Sequence, residues 1–146
     1  MNGKLKVKKL DSRAILPTYG SQYCAGADLY ALLDEEKEIL PGKMLMIPTG
    51  LAMEIPEGYA GLIFARSGLA SKKGLAPANK VGVVDADYRG EVKVALFNHS
   101  DLPQTVSPGE RIAQLVISPF YKAEFEESEE LSATERASGG FGSTGK

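Results

Sequence analysis

The sequence VGVVDADYRGEVKV, residues 81–94, is the stretch on which the fold prediction is built. Apolar valines lead into a polar cluster, and beyond it Val92 and Val94 alternate with Glu91 and Lys93. This two-residue period is typical of a strand with one buried face. The stretch therefore predicts a β-hairpin that carries its polar groups at the tip.

The predicted tip contains Asp85, Asp87, Tyr88 and Arg89 in close succession. A carboxylate here could take a proton from water, because a neighbouring cation and a rigid backbone would fix its orientation and its protonation state. Aspartate is also common in ordinary turns, and arginine is commonly solvated. The stretch alone leaves both interpretations open.

Length and composition favour one globular domain. The chain has 146 residues, of which 43% are hydrophobic, which is enough to fill one core. A net charge of -2 gives no electrostatic argument for a nucleic acid as a partner. No apolar run approaches the length needed to span a membrane, and the N-terminal segment lacks the apolar core of a signal peptide. We therefore expect a cytoplasmic protein.

The single cysteine, Cys24, cannot form an internal disulfide. The one histidine, His99, lies in a turn-like segment and offers this thiol no obvious base. We expect Cys24 to be a small residue in or just below the core.

Short strands separated by frequent turns are predicted for most of the chain. The first alternating segment covers residues 5–9, and a second covers residues 24–33 with Asp28 inside it. Proline and glycine interrupt residues 34–65 every few positions, which excludes long helices and predicts an all-β sandwich, barrel or jelly roll. Asp28 needs a partner if it is buried, and it is either an edge or capping residue or a functional acid.

One short helix is predicted in ARSGLASKKGLAP, residues 65–77. Ser67 is a candidate N-cap, and Gly74 is a candidate for the left-handed position that follows a helix. The free backbone N–H groups of Ser67 and Gly68, beside the Arg66 guanidinium, form a candidate phosphate site. A simple cap and a surface ion pair would explain the same residues.

The C-terminal part contains a further strand and then a change in composition. Arg111 and Gln114 are polar groups within the apolar run of residues 107–120. We divide the chain into a β-rich domain, residues 1–126, and a C-terminal arm, residues 127–146, which is too polar to order itself in the free protein. The arm could close over a ligand, with Phe141 stacked on a flat base. Its end, GFGSTGK, lacks the strand, the helix and the Ser/Thr of a P-loop.

Five segments in order resemble the signature segments of the trimeric deoxyuridine triphosphate nucleotidohydrolases (dUTPases). The resemblance covers essentially the whole chain, and it implies a jelly-roll-like β domain with one short helix that assembles as a homotrimer. Each of three shared sites would take segments from all three subunits. The five segments are AGADLYA, ARSGLAS, NKVGVVDADYRGEV, GERIAQLVI and RASGGFGSTG.

The resemblance implies a catalytic role for Asp85, which would deprotonate a water for attack on the α-phosphorus of dUTP. Tyr88 would pack on the deoxyribose and exclude a 2'-hydroxyl. Asn79 and the neighbouring backbone, including Val84, would bind the uracil edge and leave no room for the thymine methyl group. Val84 stands where the family often has Ile, and we expect this change to be neutral.

The resemblance also implies a phosphate and metal site. Asp28 would act on Mg²⁺ through bound water, because Mg²⁺ keeps much of its hydration, so few or no direct protein ligands are expected. Gln114 would add a polar contact to the catalytic set, and Arg111 would support the site. The residues expected to bind phosphate at the helix start are Arg66, Ser67 and Gly68.

In the arm, the resemblance implies that Arg136 touches phosphate and that Phe141 covers the uracil. Ser143 and Thr144 would reach the terminal phosphate, with backbone amides such as that of Gly142 beside them. Ala137 stands where the family often has Gly, which narrows the backbone freedom of the arm.

The predicted activity is Mg²⁺-dependent hydrolysis of dUTP to dUMP and pyrophosphate, which removes dUTP and supplies dUMP for thymidylate synthesis. Two alternatives remain. One is a dCTP deaminase-like enzyme of the same fold, and the other is a non-enzymatic dUTP-sensing trimer. Neither a nucleic acid nor a membrane is expected as a partner.

Overall fold

Apolar residues at alternate positions, interrupted by glycine and proline, fold into short antiparallel strands. The computed structural model describes residues 3–140, which contain twelve strands and one helix. The strands are β1 (Lys6–Lys9), β2 (Thr18–Tyr19), β3 (Ala27–Tyr30), β4 (Lys37–Ile39), β5 (Met44–Pro48), β6 (Leu51–Glu54), β7 (Tyr59–Phe64), β8 (Leu75–Pro77), β9 (Gly82–Val84), β10 (Lys93–Asn98), β11 (Gln104–Val106) and β12 (Arg111–Pro119). The helix α1 (Ser67–Lys73) lies between β7 and β8. The predicted all-β fold with one short helix is confirmed.

The strands form four antiparallel sheets. The largest has the order β2-β3-β12-β7-β9, a second has the order β5-β10-β8, and two pairs join β1 to β6 and β11 to β4. Neighbours in these sheets are mostly distant in sequence. The chain therefore crosses between sheets repeatedly, as it does in a jelly roll.

The core lies between the sheets and is filled by the inward-facing side chains of their strands. The central strand β12 pairs with β3 on one side and with β7 on the other. Burial of these aliphatic side chains supplies most of the driving force for folding. The side chains that are fully buried include Leu29, Ile47, Leu51, Leu75, Leu96 and Ile112.

The predicted hairpin over residues 81–94 is wrong. β9 pairs with β7, whereas β10 pairs with β5 and β8, so the two strands belong to different sheets. The alternation correctly predicts the strand Lys93–Asn98, because alternation reports which face is buried. It carries no information about the partner strand. Residues 85–92 (the Asp85 loop) consequently connect two sheets.

The helix α1 is confirmed, but the predicted cap at Ser67 is wrong. Arg66 occupies the N-cap position with extended backbone and makes no side-chain cap hydrogen bond, and Ser67 is the first helical residue. Gly74 ends the helix with φ 66°, as predicted, and donates its N–H to the carbonyl oxygen of Ala70 at 3.0 Å. An added Cβ at Gly74 would also lie 3.0 Å from Ser100, so this position favours glycine on two grounds.

After Pro119 the described chain contains no helix or strand as far as residue 140. Residues 120–138 are exposed throughout. Within residues 3–140, no helix has the length and the apolar character that crossing a membrane requires.

Candidate functional site

The Asp85 loop forms one wall of a cavity of about 450 Å³, here called the loop cavity. Glu91 belongs to this wall, and Ile63 of β7 also lines the cavity. The strand pairing of β9 with β7 places the start of the loop beside Ile63. Four residues with predicted roles line this cavity together, namely Asn79, Val84, Asp85 and Tyr88.

Asn79 lies in a tight turn that leads into β9. The N–H of Val81 donates to the Asn79 carbonyl oxygen at 2.7 Å, and Lys80 between them has φ 66°. A residue other than glycine is uncommon in this left-handed region, so the turn is held by its surroundings. An added Cβ at Gly82 would lie 3.3 Å from the Asn79 Nδ2 atom. Gly82 thus leaves room for the Asn79 amide at the cavity wall.

The Tyr88 ring folds back over the backbone of its own loop. Its hydroxyl donates to the carbonyl oxygen of Glu91 at 3.0 Å. An added Cβ at Gly90 would lie 2.4 Å from the Tyr88 hydroxyl oxygen and 2.6 Å from Cζ. Only glycine at position 90 permits this pose, and Tyr88 as a residue is 46% exposed.

Arg89, which was considered as a cation beside the loop carboxylates, binds backbone carbonyl oxygens instead. Its Nη1 atom donates to the carbonyl oxygens of Ala86 at 2.6 Å and Tyr88 at 3.1 Å. Within residues 3–140, no ion pair involves Asp85 or Asp87. Arg89 therefore stabilises the turn, and the exposed Asp85 carboxylate points into a space that Arg89 does not fill.

A second cavity, of about 230 Å³, lies at the junction of β3, β12 and α1 and is here called the strand cavity. The register of the sheet creates it, because Gln114 of β12 stands opposite Asp28 on one side and Phe64 on the other. Six residues with predicted roles line it, namely Asp28, Arg66, Ser67, Gly68, Arg111 and Gln114.

Asp28 is held by two guanidinium groups. Its Oδ1 atom accepts a hydrogen bond from Arg66 Nε at 2.7 Å, and its Oδ2 atom accepts one from Arg111 Nη1 at 3.3 Å. The Asp28 side chain is 13% exposed, compared with 25% for Arg66 and 53% for Arg111. The partner that a carboxylate in a strand requires is thus present, and the ion pair left open for Arg66 is formed.

Arg66 has hydrogen-bond donors that Asp28 does not use. A guanidinium has five N–H donors, and Asp28 uses only the one on Nε. Within the described part of the chain, the two terminal nitrogens of Arg66 make no hydrogen bond. They are free to bind an anion in the strand cavity beside the exposed backbone of Ser67 and Gly68.

Gln114 is fixed at the floor of the strand cavity. Its Nε2 atom donates to the carbonyl oxygen of Ala65 at 2.9 Å. An added Cβ at Gly26 would lie only 2.5 Å from the Gln114 Oε1 atom. Gly26 therefore makes space for the amide, whose oxygen remains available as an acceptor.

The expected burial of Cys24 is wrong. The residue is exposed and lines the strand cavity, where its Sγ atom lies 3.2 Å from the Ser21 hydroxyl. It follows a turn in which Cys24 N–H donates to the Ser21 carbonyl oxygen at 3.2 Å. This turn lifts the thiol out of the sheet before β3 begins.

The loop cavity and the strand cavity share no lining residue within residues 3–140. One chain thus carries the predicted base and sugar contacts in one place and the predicted phosphate contacts in another.

The comparison with known proteins decides the family. A sequence profile of the dUTPase family matches residues 12–145. The chain belongs to the dUTPase family. This membership confirms the resemblance of the five sequence segments to the dUTPases and the prediction that the chain is an enzyme.

Curated relatives match over nearly their full length. The deoxyuridine 5'-triphosphate nucleotidohydrolase of Syntrophotalea carbinolica is 51% identical over 141 residues, covering 97% of this chain and 96% of that protein. The protein of the same name from Neisseria meningitidis serogroup A is 47% identical over 148 residues, covering 99% of each.

Solved dUTPase structures have the same fold. The dUTPase of Staphylococcus bacteriophage 80alpha, solved with dUpNHpp, matches with a TM-score of 0.89 at 32% identity, over 99% of this chain and 100% of that chain. A mutant dUTPase from phage phi11 of S. aureus, described with a structural Mg(II) ion, matches with a TM-score of 0.78 at 28% identity, over 88% and 98% of the chains. The jelly-roll-like dUTPase fold is thereby confirmed.

The arm of this dUTPase-family chain is described as far as residue 140. Arg136 Nε donates to the carbonyl oxygen of Gly139 at 2.8 Å, which closes a local turn. Ala137 has φ 45°, in the left-handed region that favours glycine. The narrower backbone freedom expected from Ala in place of Gly therefore applies at this turn. The remaining predicted arm residues lie outside the described part of the chain, namely Phe141, Gly142, Ser143 and Thr144.

The metal-binding groups that line the strand cavity fit a magnesium ion that is held mainly by substrate phosphates. Of the described residues, Asp28 is the one carboxylate that lines this cavity. Within residues 3–140, no three His, Cys, Asp or Glu side chains form a group that could hold a metal ion. A single carboxylate suits Mg²⁺, which keeps several waters and binds substrate phosphates.

Sequence reasoning missed two residues that shape these cavities. Glu91 lines the loop cavity and accepts the Tyr88 hydroxyl bond, and Gly26 makes room for Gln114. Glu91 lies within the strand alternation and resembles any outward-facing acid. Gly26 directly precedes β3, and an isolated glycine at a strand start is a signal of close approach that could have identified it.

Proposed function

We propose that this chain hydrolyses dUTP to dUMP and pyrophosphate, with Asp85 as the general base. The chain belongs to the dUTPase family, and one observation supports Asp85 as its general base. The exposed Asp85 carboxylate, free of ion pairs in the described chain, faces the same cavity as Asn79 and Tyr88. The product dUMP would then be available for thymidylate synthesis, and a cytoplasmic location would suit this role.

In the proposed mechanism, Asp85 accepts a proton from a water molecule as that water attacks the α-phosphorus. The bond from the α-phosphorus to the bridging oxygen breaks, and pyrophosphate leaves with that oxygen. General base assistance of this kind contributes on the order of 10²- to 10⁴-fold. Positioning and charge stabilisation would supply most of the remaining rate.

The loop cavity supplies the proposed nucleoside contacts. The Asn79 amide has both donors and acceptors, so it can bind the polar edge of uracil. The Val84 backbone beside it would complete this edge and leave no space for a thymine methyl group. The Tyr88 ring would pack on the deoxyribose and occupy the position of a 2'-hydroxyl.

The strand cavity supplies the proposed triphosphate contacts. The terminal nitrogens of Arg66 and the backbone N–H groups of Ser67 and Gly68 would bind phosphate oxygens. Gln114 would add a polar contact. Arg111, which shares Asp28 with Arg66, would both support the carboxylate and attract the anion.

Asp28 is the residue that would hold a magnesium ion, through bound water rather than directly. Bound with the triphosphate, the ion would offset phosphate charge. The two guanidinium groups on Asp28 orient its oxygens. Asp28 remains 13% exposed at the wall of the strand cavity, where a hydrated ion would lie.

A homotrimer would bring the separated cavities together. The proposal is supported by the division of contacts between two cavities that share no lining residue in the described chain. In the assembly, the loop cavity of one subunit would face the strand cavity of a second subunit. The arm, residues 127–146, would come from the third subunit. Arg136 would contact phosphate, Phe141 would cover the uracil, and Gly142, Ser143 and Thr144 would reach the terminal phosphates.

The test is to incubate the chain with Mg²⁺ and dUTP, UTP, dTTP or dCTP, and to measure pyrophosphate and ammonia. Pyrophosphate from dUTP alone is the expected result. Ammonia from dCTP would indicate the deaminase alternative, and dUTP binding without turnover would indicate the sensing alternative. Asp85→Asn should bind dUTP while losing about 10²- to 10⁴-fold in kcat. A variant with the wild-type rate would exclude Asp85 as the base.

A further inference from the structure

Glu91 connects the Asp85 loop to a turn that lies outside the loop cavity. Its Oε1 atom accepts a hydrogen bond from the N–H of Gly50 at 2.9 Å. Its carbonyl oxygen accepts the hydroxyl of Tyr88 at 3.0 Å. Glu91 therefore binds the Tyr88 hydroxyl through its backbone carbonyl and binds the Gly50 turn through its side chain.

The turn that receives Glu91 is rigid. The Thr49 side chain is 1% exposed, and its Oγ1 atom donates to the carbonyl oxygen of Val92 at 2.6 Å. The N–H of Val92 donates in return to the carbonyl oxygen of Leu51 at 2.8 Å. Gly50 has φ 68°, and an added Cβ there would lie 2.6 Å from Leu32. The anchor point of Glu91 is thus fixed by buried contacts on both sides.

The pose of Tyr88 depends on few contacts. Within residues 3–140, the phenol makes one hydrogen bond, to Glu91, and Tyr88 as a residue is 46% exposed. Gly90 permits the folded-back pose but does not enforce it. A shift of the Glu91 backbone would therefore move the one polar contact that holds the ring.

We infer that Glu91 is a positioning residue that fixes the Tyr88 ring and thereby sets discrimination between deoxyribose and ribose. The inference rests on the proposed function, since it assigns to Glu91 control of a contact in that same site. Glu91 also lies 3.4 Å from Lys93 Nζ, but Lys93 is 48% exposed, so this ion pair contributes little.

A positioning role and a merely structural role predict different kinetics. If Glu91 only stabilised the fold, its loss would lower kcat/KM for dUTP and UTP by the same factor. If Glu91 positions Tyr88, its loss lowers kcat/KM for dUTP more than kcat/KM for UTP. The ratio of the two kcat/KM values is therefore the readout.

The experiment compares Glu91→Ala, Glu91→Gln and Tyr88→Phe in the full chain with dUTP and UTP. Glu91→Ala should lower the dUTP/UTP ratio about 10-fold, the size expected for loss of a hydrogen bond to a charged group. Glu91→Gln keeps an oxygen for the Gly50 N–H and should restore most of the ratio. Glu38→Ala, an exposed carboxylate on β4, is the matched control and should not change it.

The outcomes separate the inference from the proposed function. A wild-type chain that does not turn over dUTP overturns both. A selective wild-type chain whose folded Glu91→Ala variant keeps its ratio overturns the inference alone. If Glu91→Ala does not fold, Tyr88→Phe decides, because it removes the hydrogen bond through which the Glu91 backbone carbonyl would hold the ring. A reduced ratio then supports the inference, and an unchanged ratio overturns it.

Discussion

Replacing Arg66 by lysine should separate its two tasks in the strand cavity. The guanidinium can donate from Nε to Asp28 and still offer both terminal nitrogens to phosphate. Lysine has one nitrogen on a flexible stem, so it cannot reproduce the rigid fork that would hold Asp28 and phosphate with separate nitrogens. Arg66→Lys therefore tests the proposed phosphate site without removing charge.

The magnitude follows from the geometry of the two arginines on Asp28. The Arg66 bond is short, 2.7 Å, and its partners are 25% and 13% exposed. Loss of a hydrogen bond of this charged kind costs about 1.5–3 kcal/mol, or about 10- to 100-fold in kcat/KM. The Arg111 bond is longer, 3.3 Å, and Arg111 is 53% exposed. Exposed pairs contribute about 0–1 kcal/mol, so Arg111→Lys should lose no more than about fivefold.

The assay is pyrophosphate release as a function of dUTP concentration at fixed Mg²⁺, with thermal melting to verify that each variant is folded. Arg66→Lys should raise KM and lower kcat/KM much more than Arg111→Lys does. A folded Arg66→Lys variant with wild-type kcat/KM would refute the reasoning. An equal loss in the two variants would also refute it, because distance and burial would then not determine the effect.

Three further perturbations follow. Deleting residues 136–146 should leave a folded protein with very poor pyrophosphate release, and full activity would exclude the arm from the mechanism. Gly26→Ala should lower kcat/KM for dUTP by displacing Gln114, and unchanged kinetics would show that this pose is dispensable. Hydrogen bonds from Arg13 lower the pKa of Asp11 from 3.8 to about 2. The ionised Asp11 carboxylate therefore stabilises the fold above about pH 4, and this stabilisation is lost as the pH falls toward about 2. The difference in melting temperature between the wild type and Asp11→Asn should disappear there.

Local patterns in the sequence predicted the elements but not their partners. Alternation around Val94 correctly gave a strand, because alternation reports burial of one face at short range. The hairpin failed because β9 pairs with β7 and β10 pairs with β5 and β8, so that paired residues are at least 19 positions apart in sequence. Pairing of this kind depends on the whole fold, and no local period reports it.

The site shows the same limit. The residues that line each cavity were named mainly from the resemblance of five segments to the dUTPase family, because residue chemistry alone indicated only the acids Asp28 and Asp85 and a candidate phosphate site at residues 66–68. Their contacts were not predicted. Arg89 and Arg66 are both arginines near aspartates, yet Arg89 binds carbonyl oxygens of its own turn and Arg66 binds Asp28, 38 positions away. The prediction that Cys24 is buried failed for a similar reason, because the preceding turn, and not the small size of the residue, decides its exposure.

The division of reactive groups between two cavities has a genetic consequence. In the proposed trimer, a chain damaged beside Asp85 still carries an intact strand cavity, and a chain damaged beside Arg66 still carries an intact loop. When both alleles are expressed in one cell, mixed assemblies contain some sites built from two undamaged halves. If the proposed trimer forms, two inactive alleles of this chain would therefore complement each other, as alleles of an enzyme with self-contained sites cannot.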